Sequence, residues 1–352
     1  MAKTHNFTSQ RKKEHIDICL TDNALFREKT NGFENYDFLH YAITEVDIAE
    51  IAFETSFLNR KVSFPFLISC MTGGTTESED INSQLAEAAS ELNIPLGVGS
   101  QRQAFENQDY HSTYRVIRQK APGIPVLGNI GAAQLVKLEN PSGVQSLVDL
   151  VEADAMVVHL NAAQELMQFN GGRAEGEPDF KGLLDSLEGI VKLLNVPVFV
   201  KEVGAGISGL AAKRLLDAGI KGIDVAGAGG TSWTAVESIR NKEEDSEFWD
   251  WGLPTSYCLR TVSELKRNND FILIGSGGIN SAFDAAKAYA LGADFTASAR
   301  IILQQLDKSG AEGVIQLIKS WFDTIKGIMF LTGSKNFFEL RNNKLVKKEE
   351  LY

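Results

Sequence analysis

Short apolar runs rich in β-branched and aromatic residues alternate along the chain with segments of helical periodicity. The first run, FPFLISC at 64–70, precedes an amphipathic stretch at 81–93 whose Ile81, Leu85 and Leu92 share one face. Further strand-like runs lie at 94–100, 125–131, 155–161, 197–204, 222–233, 271–279 and 294–302. Predicted helices lie at 111–120, from about Pro141, and at 182–195, 209–219, 255–267, 281–292 and 311–330. The pattern therefore predicts eight strands in series with helices between them.

Eight apolar strands separated by helices indicate a parallel sheet that is buried on both faces. Their number and the length of 64–330 match a TIM (β/α)8 barrel. A doubly wound sheet is the alternative, but eight units without a domain break favour the barrel. We predict an α/β chain with this barrel at 64–330. An N-terminal extension, 1–63, would cover the barrel mouth, and 331–352 would form a C-terminal tail.

Composition and charge restrict the possible partners. The 352 residues include 35 Lys and Arg against 46 Asp and Glu, a net charge of −11, which argues against nucleic acids and anionic membranes. No apolar run approaches the roughly 18 residues of a membrane span, and the N-terminus lacks the apolar core of an export signal. Cys19, Cys70 and Cys258 form no CxxC motif and indicate reduced thiols. We expect a cytoplasmic protein.

Polar residues concentrate at the carboxyl ends of the predicted strands, where TIM barrels carry out their chemistry. They are Met71–Gly74, Ser100–Arg102, Asn129, His159, Asn161, Lys201, Glu202, Gly227–Thr231, Gly275–Gly278 and Ser298–Arg300. Each alone is compatible with an ordinary turn, but together they predict a ligand pocket. Glycines in the last two units match the layout in which loops and a helix N-terminus bind phosphate.

Three features allow two interpretations each. Lys201 would face the pocket and stabilise negative charge, or pair with Glu202, although adjacent strand residues point to opposite faces. Glu165 would bind Mg²⁺ together with a substrate phosphate, or be a solvated loop carboxylate, which its residue type alone favours. The basic segment 11–15 is a solvated start, or a cover whose cations neutralise a substrate phosphate. His159 is the only histidine in the predicted strands, which argues against a zinc hydrolase.

Taken together, the motifs resemble those of type 2 isopentenyl diphosphate isomerases, which are FMN-dependent TIM-barrel enzymes. The matching segments are RKKEHI (11–16), SCMTGG (69–74), GVGSQR (97–102), NIGAAQ (129–134), HLNAAQE (159–165), VKEVG (200–204), DVAGAGGTSW (224–233), GSGGI (275–279) and ASAR (297–300). They follow one another in order over almost the whole chain. The acidic stretch 241–252 and the tail lie outside the resemblance.

The resemblance implies a set of binding residues and roles. FMN would contact Met71, Thr72, Ser100, Asn129, Lys201, Thr231, Gly277, Gly278, Ser298 and Ala299. The substrate diphosphate would contact Arg11, Lys12, Ser100, Gln101, Arg102, His159 and Gln164, and Glu165 would hold Mg²⁺. Gln164, Lys201 and His159 would be the catalytic residues. NADPH or NADH would reduce the flavin, which then acts as acid and base, and the chain would form a homo-oligomer, a tetramer or an octamer.

Two alternatives remain open at this point. One is an FMN oxidoreductase of the hydroxy-acid oxidase or dihydroorotate dehydrogenase type, whose phosphate loops would look alike. Hydroxy-acid oxidation needs a histidine base and an arginine for the carboxylate, and no Arg–His pair occurs late in this chain. The other is a non-catalytic flavin- or phosphate-binding module, which would need fewer polar groups in the pocket.

Overall fold

A computed structural model describes residues 2–138, 140–170, 175–243, 246–342 and 344–351, with the backbone alone of residues 2–9 and 76. The strands are β1 (Tyr36–Phe38), β2 (Thr55–Phe57), β3 (Arg60–Val62), β4 (Phe66–Ile68), β5 (Leu96–Gly97), β6 (Val126–Gly131), β7 (Ala155–His159), β8 (Val198–Lys201), β9 (Gly222–Asp224), β10 (Ile272–Gly275), β11 (Phe295–Ser298) and β12 (Leu345–Lys347). The α-helices are α1 (Ala2–Cys19), α2 (Thr76–Leu92), α3 (Arg102–Glu106), α4 (Ser112–Lys120), α5 (Ala132–Leu135), α6 (Ser142–Val151), α7 (Ala162–Asn170), α8 (Leu183–Leu193), α9 (Gly209–Asp217), α10 (Trp233–Asn241), α11 (Thr255–Ser263), α12 (Ala282–Ala290), α13 (Arg300–Leu331) and α14 (Phe337–Arg341).

Strands β4 to β11 form a closed ring in which every neighbour is parallel. The ring closes where β11 pairs with β4, with Thr296 opposite Phe66 and Ser298 opposite Ile68. At least one helix joins each strand to the next. The predicted TIM barrel is confirmed, and the doubly wound sheet is wrong because such a sheet has two open edges.

Successive residues of the barrel strands point alternately into the barrel and out toward the helices. In β4, Leu67 belongs to the interior cluster, whereas Phe66 and Ile68 pack in the layer between strands and helices. Both layers are apolar, which is why the strands read as continuous hydrophobic runs in the sequence. The interior is thus a packed core, and the polar groups are left to the strand ends.

A hairpin formed by β2 and β3 plugs the end of the barrel opposite the site. The Phe57 side chain is fully buried and belongs to the interior cluster. Its ring centroid lies 4.8 Å from that of Phe295 and 6.0 Å from that of Phe199. Arg60 Nε also donates to Asp154 Oδ1 at 2.7 Å, at the start of β7. Part of the N-terminal extension is therefore built into the barrel core.

Helices α1, α7 and α10 were not expected from the sequence. Helix α1 carries no continuous apolar stripe, and its contacts with α10 and the barrel mouth stabilise it instead. Helix α10 begins within a predicted strand, where Ser232 Oγ accepts from Ala235 N at 3.2 Å and caps it. Arg300 begins α13 rather than continuing the last strand. The sequence also predicts a loop rich in glycine and charge at 170–179, of which residues 171–174 lie outside the described residues.

The C-terminal tail joins the N-terminal extension through an antiparallel pair of β1 and β12, with Asp37 opposite Val346. The division at residues 63 and 330 therefore stays a proposal. Within the described ranges, none of the helices is both long and apolar enough to cross a membrane.

We expect Phe57→Ala to lower the free energy of unfolding by about 3–5 kcal/mol, because it removes a buried ring and leaves a cavity at the base of the barrel. Chemical denaturation followed by circular dichroism would measure the change. The matched control is Phe338→Ala, at a side chain that is 71% exposed, for which we expect about 0.5 kcal/mol or less. Equal effects of the two substitutions would contradict the plug.

Candidate active site

One cavity lies at the carboxyl ends of the barrel strands, and α1 covers part of its opening. All ten residues that the resemblance assigns to FMN line it: Met71, Thr72, Ser100, Asn129, Lys201, Thr231, Gly277, Gly278, Ser298 and Ala299. Those assigned to the diphosphate and the metal that also line it are Arg11, Lys12, Ser100, Arg102, His159, Gln164 and Glu165. The structure thus brings nearly the whole predicted set into one place.

Gln101 is the exception, because its side chain points away from the cavity. It is fully buried, its Nε2 donates to Leu147 O at 2.9 Å, and its Oε1 accepts from Asn129 N at 2.8 Å. With both ends of the amide used by the backbone, the side chain supports β6 and α6. A side-chain contact from Gln101 to the substrate, as the sequence suggested, does not fit this geometry.

The basic segment of α1 faces the cavity, so the alternative of a solvated N-terminal start is wrong. Lys12 Nζ donates to Gly73 O and, at 3.3 Å, to Ser100 O. Its distance to the Tyr114 hydroxyl is 3.4 Å. Arg11 also lines the cavity and forms no ion pair with the described residues. Two cations of one helix are therefore brought to the barrel mouth.

Arg102, at the start of α3, completes a cluster of three cations with Arg11 and Lys12. Burial and the neighbouring charge of Arg11 lower the pKa of Lys12 to about 7. Burial and Arg102 lower the pKa of Arg11 as well. Positive charges that repel one another in a partly buried place need an anion to stabilise them. The cluster is therefore suited to an anion.

A buried carboxylate, Glu237 of α10, joins α1 to α7. Its Oε1 accepts from His15 Nε2 at 2.8 Å, from Gln164 Nε2 at 3.0 Å and from Gln168 Nε2 at 2.7 Å. Its Oε2 accepts from Arg240 at 2.6 Å. Burial would raise the pKa of Glu237, but His15 and Arg240 outweigh it and hold that pKa well below its usual range. The carboxylate only accepts, so both glutamine amides present their nitrogen to it.

Glu165 lies on the first turn of α7 and is 5% exposed, so the alternative of a solvated loop carboxylate is wrong. Its Oε1 accepts from Asn161 Nδ2 at 2.9 Å, and its Oε2 accepts from Glu177 N at 2.7 Å. One hydrogen bond to each oxygen fixes the carboxylate and leaves lone pairs for a metal. The side-chain amide oxygen of Asn161, Oδ1, is buried without a hydrogen-bond partner.

His159 ends β7 and has a defined tautomer. Asn129 Nδ2 donates to Val98 O at 3.2 Å, so its Oδ1 is the acceptor of the 2.9 Å bond with His159 Nδ1. Nδ1 therefore carries the proton. Burial and the charges of Lys201 and Lys12 lower the pKa of His159 to about 3. The imidazole is neutral near pH 7 and turns an unprotonated Nε2 away from Asn129.

Lys201 and Glu202 do not form the ion pair that was the alternative for this strand end. The Glu202 carboxylate accepts from the backbone N–H groups of Val203, Gly204 and Ala205. Lys201 lines the cavity, and its Nζ donates to the backbone oxygen of Glu202. Among the described residues no carboxylate lies within 4.0 Å of Lys201 Nζ. Its charge is available to a ligand in the cavity.

The loops after β9 and β10 meet the N-terminus of α13 at the opposite side of the cavity. Gly278 has a φ of +70°, and a Cβ there would lie 2.5 Å from Gly229 O, so only glycine fits. The N–H groups of Gly277, Gly278 and Ala299 donate no backbone hydrogen bond to the described part of the chain. Ala299 precedes α13 without a side-chain cap. Unused donors at a helix N-terminus favour a phosphate.

Comparison with known proteins identifies the family. The profile of the FMN-dependent dehydrogenases matches residues 5–112 and 124–347. A protein of Pelodictyon phaeoclathratiforme named isopentenyl-diphosphate delta-isomerase is 42% identical, and the match covers 99% of this chain and 100% of that one. One of Pseudescherichia vulneris with the same name is 43% identical, covering 94% and 95%. The chain belongs to the isopentenyl-diphosphate delta-isomerases, within the FMN-dependent dehydrogenase family.

Solved structures outside the isomerases share the fold of this FMN-dependent family member. A flavocytochrome b2 variant with pyruvate bound has a TM-score of 0.69 at 16% identity and covers 98% of this chain and 85% of its own. A mandelate oxidase variant has a TM-score of 0.63 at 16% identity, covering 96% and 97%. At this identity the likeness concerns the fold alone.

The cavity fits FMN, the cofactor of the family. The unused N–H groups of Gly277, Gly278 and Ala299 would suit its phosphate, and the Lys201 cation would suit its ring. The region of Glu165 fits Mg²⁺, which takes one or two carboxylates together with substrate phosphate oxygens. No group of three or more His, Cys, Asp or Glu suited to a metal occurs in the described ranges, and Mg²⁺ bound in this way needs none.

Several residues of the site escaped sequence reasoning. His15, Gln168 and Trp233 line the cavity, and Glu237 and Arg240 lie behind it. His15 belongs to the RKKEHI segment, so its motif was a usable signal. Glu237 had none, because α10 was not predicted and a lone glutamate in SWTAVESIR resembles a surface residue.

The pKa of Lys12 predicts a pH dependence of anion binding. Above pH 7 the empty protein loses the Lys12 charge that an anion needs, so pyrophosphate should bind up to about tenfold more weakly for each further pH unit. Lys12→Arg keeps its charge and should lack this dependence. Calorimetric titration from pH 7 to 9 measures it, and the ratio of variant to wild-type dissociation constants cancels the titration of pyrophosphate itself.

The matched control is Lys13→Arg, at an exposed residue of the same helix, which should behave as wild type. A parallel pH dependence in wild type and Lys12→Arg would show that Lys12 keeps its proton throughout.

Proposed function

We propose that this protein interconverts isopentenyl diphosphate and dimethylallyl diphosphate, with FMN in the barrel cavity and Mg²⁺ on the diphosphate. The observation that carries the proposal is that one cavity is lined both by unused backbone N–H groups and by clustered cations. The N–H groups at Gly277, Gly278 and Ala299 suit the phosphate of FMN, and the cations Arg11 and Lys12 suit a second phosphate-bearing ligand. Sequence identity of 42–43% to isomerases, against 16% to hydroxy-acid oxidases, supports the same choice.

The diphosphate end of the substrate would be bound by cations and by the metal. Arg11, Lys12 and Arg102 would neutralise its charge, and Glu165 would bind the Mg²⁺ that it carries. Ser100 and the neutral His159 line the same cavity. A bound diphosphate would favour the protonated form of His159 and could then accept a hydrogen bond from it.

The hydrocarbon end requires orientation. Gln164 Nε2 is held by Glu237 and its Oε1 accepts from Asn161 Nδ2 at 3.2 Å, so the amide is fixed at both ends. We propose that it orients the allylic part of the substrate against the cofactor. Lys201 would stabilise negative charge on the cofactor ring. Helix α1 would exclude water, which would otherwise react with the carbocation that forms when the alkene is protonated.

The reaction protonates an unactivated alkene and removes a proton from the neighbouring carbon, which needs an acid and a base. Glu165 is the only carboxylate among the described lining residues, and two hydrogen bonds hold it. Burial lowers the pKa of His15 and of His159, so neither is protonated near pH 7. Reduced FMN, when bound, supplies a proton donor and acceptor at its ring. The residues of the chain would then bind and orient the substrate and the cofactor.

Several finer expectations stay predictions. NADPH or NADH would reduce the flavin beforehand, Mg²⁺ would be required, and the chain would form a homo-oligomer, a tetramer or octamer. A cytoplasmic location fits the three cysteines, which are free in the structure.

The test uses FMN-loaded protein, Mg²⁺ and a sub-stoichiometric amount of NADPH without oxygen. Isopentenyl diphosphate is added in D₂O and products are followed by NMR. Many molecules of dimethylallyl diphosphate for each NADPH, with deuterium in the product, are the expected result. Bound and reducible flavin without conversion would reject the isomerase and favour an FMN oxidoreductase. Flavin binding with neither activity would favour a non-catalytic module.

We expect Arg11→Ala to raise KM for isopentenyl diphosphate about 10- to 100-fold, because one charge-assisted contact contributes about 1.5–3 kcal/mol. The number of turnovers per second at saturation should change less. Steady-state kinetics at constant Mg²⁺ measure both. Lys13→Ala, one residue along the same helix and exposed, is the control, and an equal rise of KM there would mean that general charge rather than contact is responsible.

A further inference from the structure

Glu177 lies in the segment between α7 and α8 and touches both ends of the diphosphate site. Its backbone N–H donates to Glu165 Oε2 at 2.7 Å. Its own carboxylate accepts from Arg102 at 3.3 Å. One residue is therefore bonded to the carboxylate expected to bind the metal and to a cation expected to bind the anion.

The Glu177 side chain is anchored from three sides. Besides Arg102, its carboxylate accepts from Gln134 Nε2 at 3.0 Å and lies 3.4 Å from Lys137 Nζ. Burial would raise the pKa of Glu177, but the Arg102 charge and the Gln134 hydrogen bond outweigh it and lower that pKa. These contacts fix where the backbone N–H of Glu177 points.

Close packing of the preceding residue fixes the segment further. A Cβ on Gly176 would lie 2.2 Å from Glu165 O and 2.3 Å from Phe169 N, both backbone atoms of α7. Any other residue at 176 would push the segment away from the helix. The approach of Glu177 N to the Glu165 carboxylate therefore depends on glycine at 176.

Arg102 has a second carboxylate partner, which allows the roles to be separated. Its Nε donates to Glu106 Oε1 at 3.0 Å, within α3. Glu106 and Glu177 both neutralise Arg102, but Glu177 alone of the two is hydrogen-bonded to Glu165. Different substitutions can therefore remove a negative charge beside Arg102 and disturb the hydrogen bond to Glu165.

We propose that Glu177 is a positioning residue that couples the Glu165 carboxylate to Arg102, so that Mg²⁺ strengthens binding of the anion. The proposal rests on the proposed function for the identity of the metal and the anion. The side-chain contacts of Glu177 hold the segment in place, and its N–H holds Glu165 in the orientation that binds Mg²⁺. A shift of the segment would then weaken the contribution of Mg²⁺ to anion binding more than the contribution of Arg11, Lys12 and Arg102.

The test measures binding and needs no turnover. Inorganic pyrophosphate is titrated calorimetrically into FMN-loaded protein, once with excess Mg²⁺ and once with EDTA. The ratio of the two dissociation constants is the gain from Mg²⁺. Glu177→Ala should reduce this gain at least fivefold. Gly176→Ala should do the same while every charged side chain is kept, and Glu177→Gln, which keeps an acceptor for Gln134 and Arg102, should lie between Glu177→Ala and wild type.

Glu106→Gln is the matched control. It removes a carboxylate from Arg102 without touching Glu165, so both dissociation constants should change by one factor and the gain should stay within twofold of wild type. Gly189→Ala, at a helical position of α8 where a Cβ meets nothing within 4 Å, controls for a glycine substitution. FMN content and melting temperature establish that each variant is folded.

Two results would overturn the coupling: an unchanged gain in folded Glu177→Ala and Gly176→Ala proteins, or an equal loss in Glu106→Gln. The proposed function fails separately, if wild-type protein binds pyrophosphate with a gain from Mg²⁺ but does not convert isopentenyl diphosphate.

Discussion

The site depends on a carboxylate that has no access to water. Glu237 is held between Arg240 and three neutral donors, His15, Gln164 and Gln168. A buried charge of this kind is tolerated only when it is fully paired. Removing one partner would leave the Glu237 carboxylate buried without compensation for its desolvation. Burial lowers the pKa of His15, so that Arg240 supplies the charge and His15 a hydrogen bond. Helix α1 is thereby attached to the barrel at the place where its cations are needed.

The acidic chain concentrates positive charge where a ligand can use it. Net charge is −11, yet Arg11, Lys12 and Arg102 meet at one opening, and Lys201 lies deeper in the same cavity. Glu165 is the only carboxylate among the described residues that line this cavity. Lining cations therefore outnumber lining carboxylates despite the overall charge, which favours anionic ligands in the cavity.

The fold is shared with flavocytochrome b2 and mandelate oxidase, whose variants match it at 16% identity. The fold alone therefore does not specify a reaction. In this chain the cavity is lined not only by strand ends but also by the basic face of α1 and by Gln164 of α7. His159 is neutral and held by Asn129, and Lys12, whose pKa is lowered to about 7 by burial and by Arg11, comes from α1. A helix outside the barrel thus contributes charged side chains to the cavity.

The order of strands and helices could be predicted from sequence because buried parallel strands leave a continuous local apolar signature. The family followed from short motifs, and nearly all residues carried over from them do line one cavity. Tertiary structure alone decided the rest. Helix α1 has no apolar stripe and forms against α10, which was itself unpredicted. Gln101 points away although Ser100 and Arg102 line the cavity, since the turn into α3 sets the direction of each side chain. Glu237 and Glu177 became visible only when distant segments met. A buried charge is defined by its partners, and partners 75 or 222 positions apart leave no local pattern in a sequence.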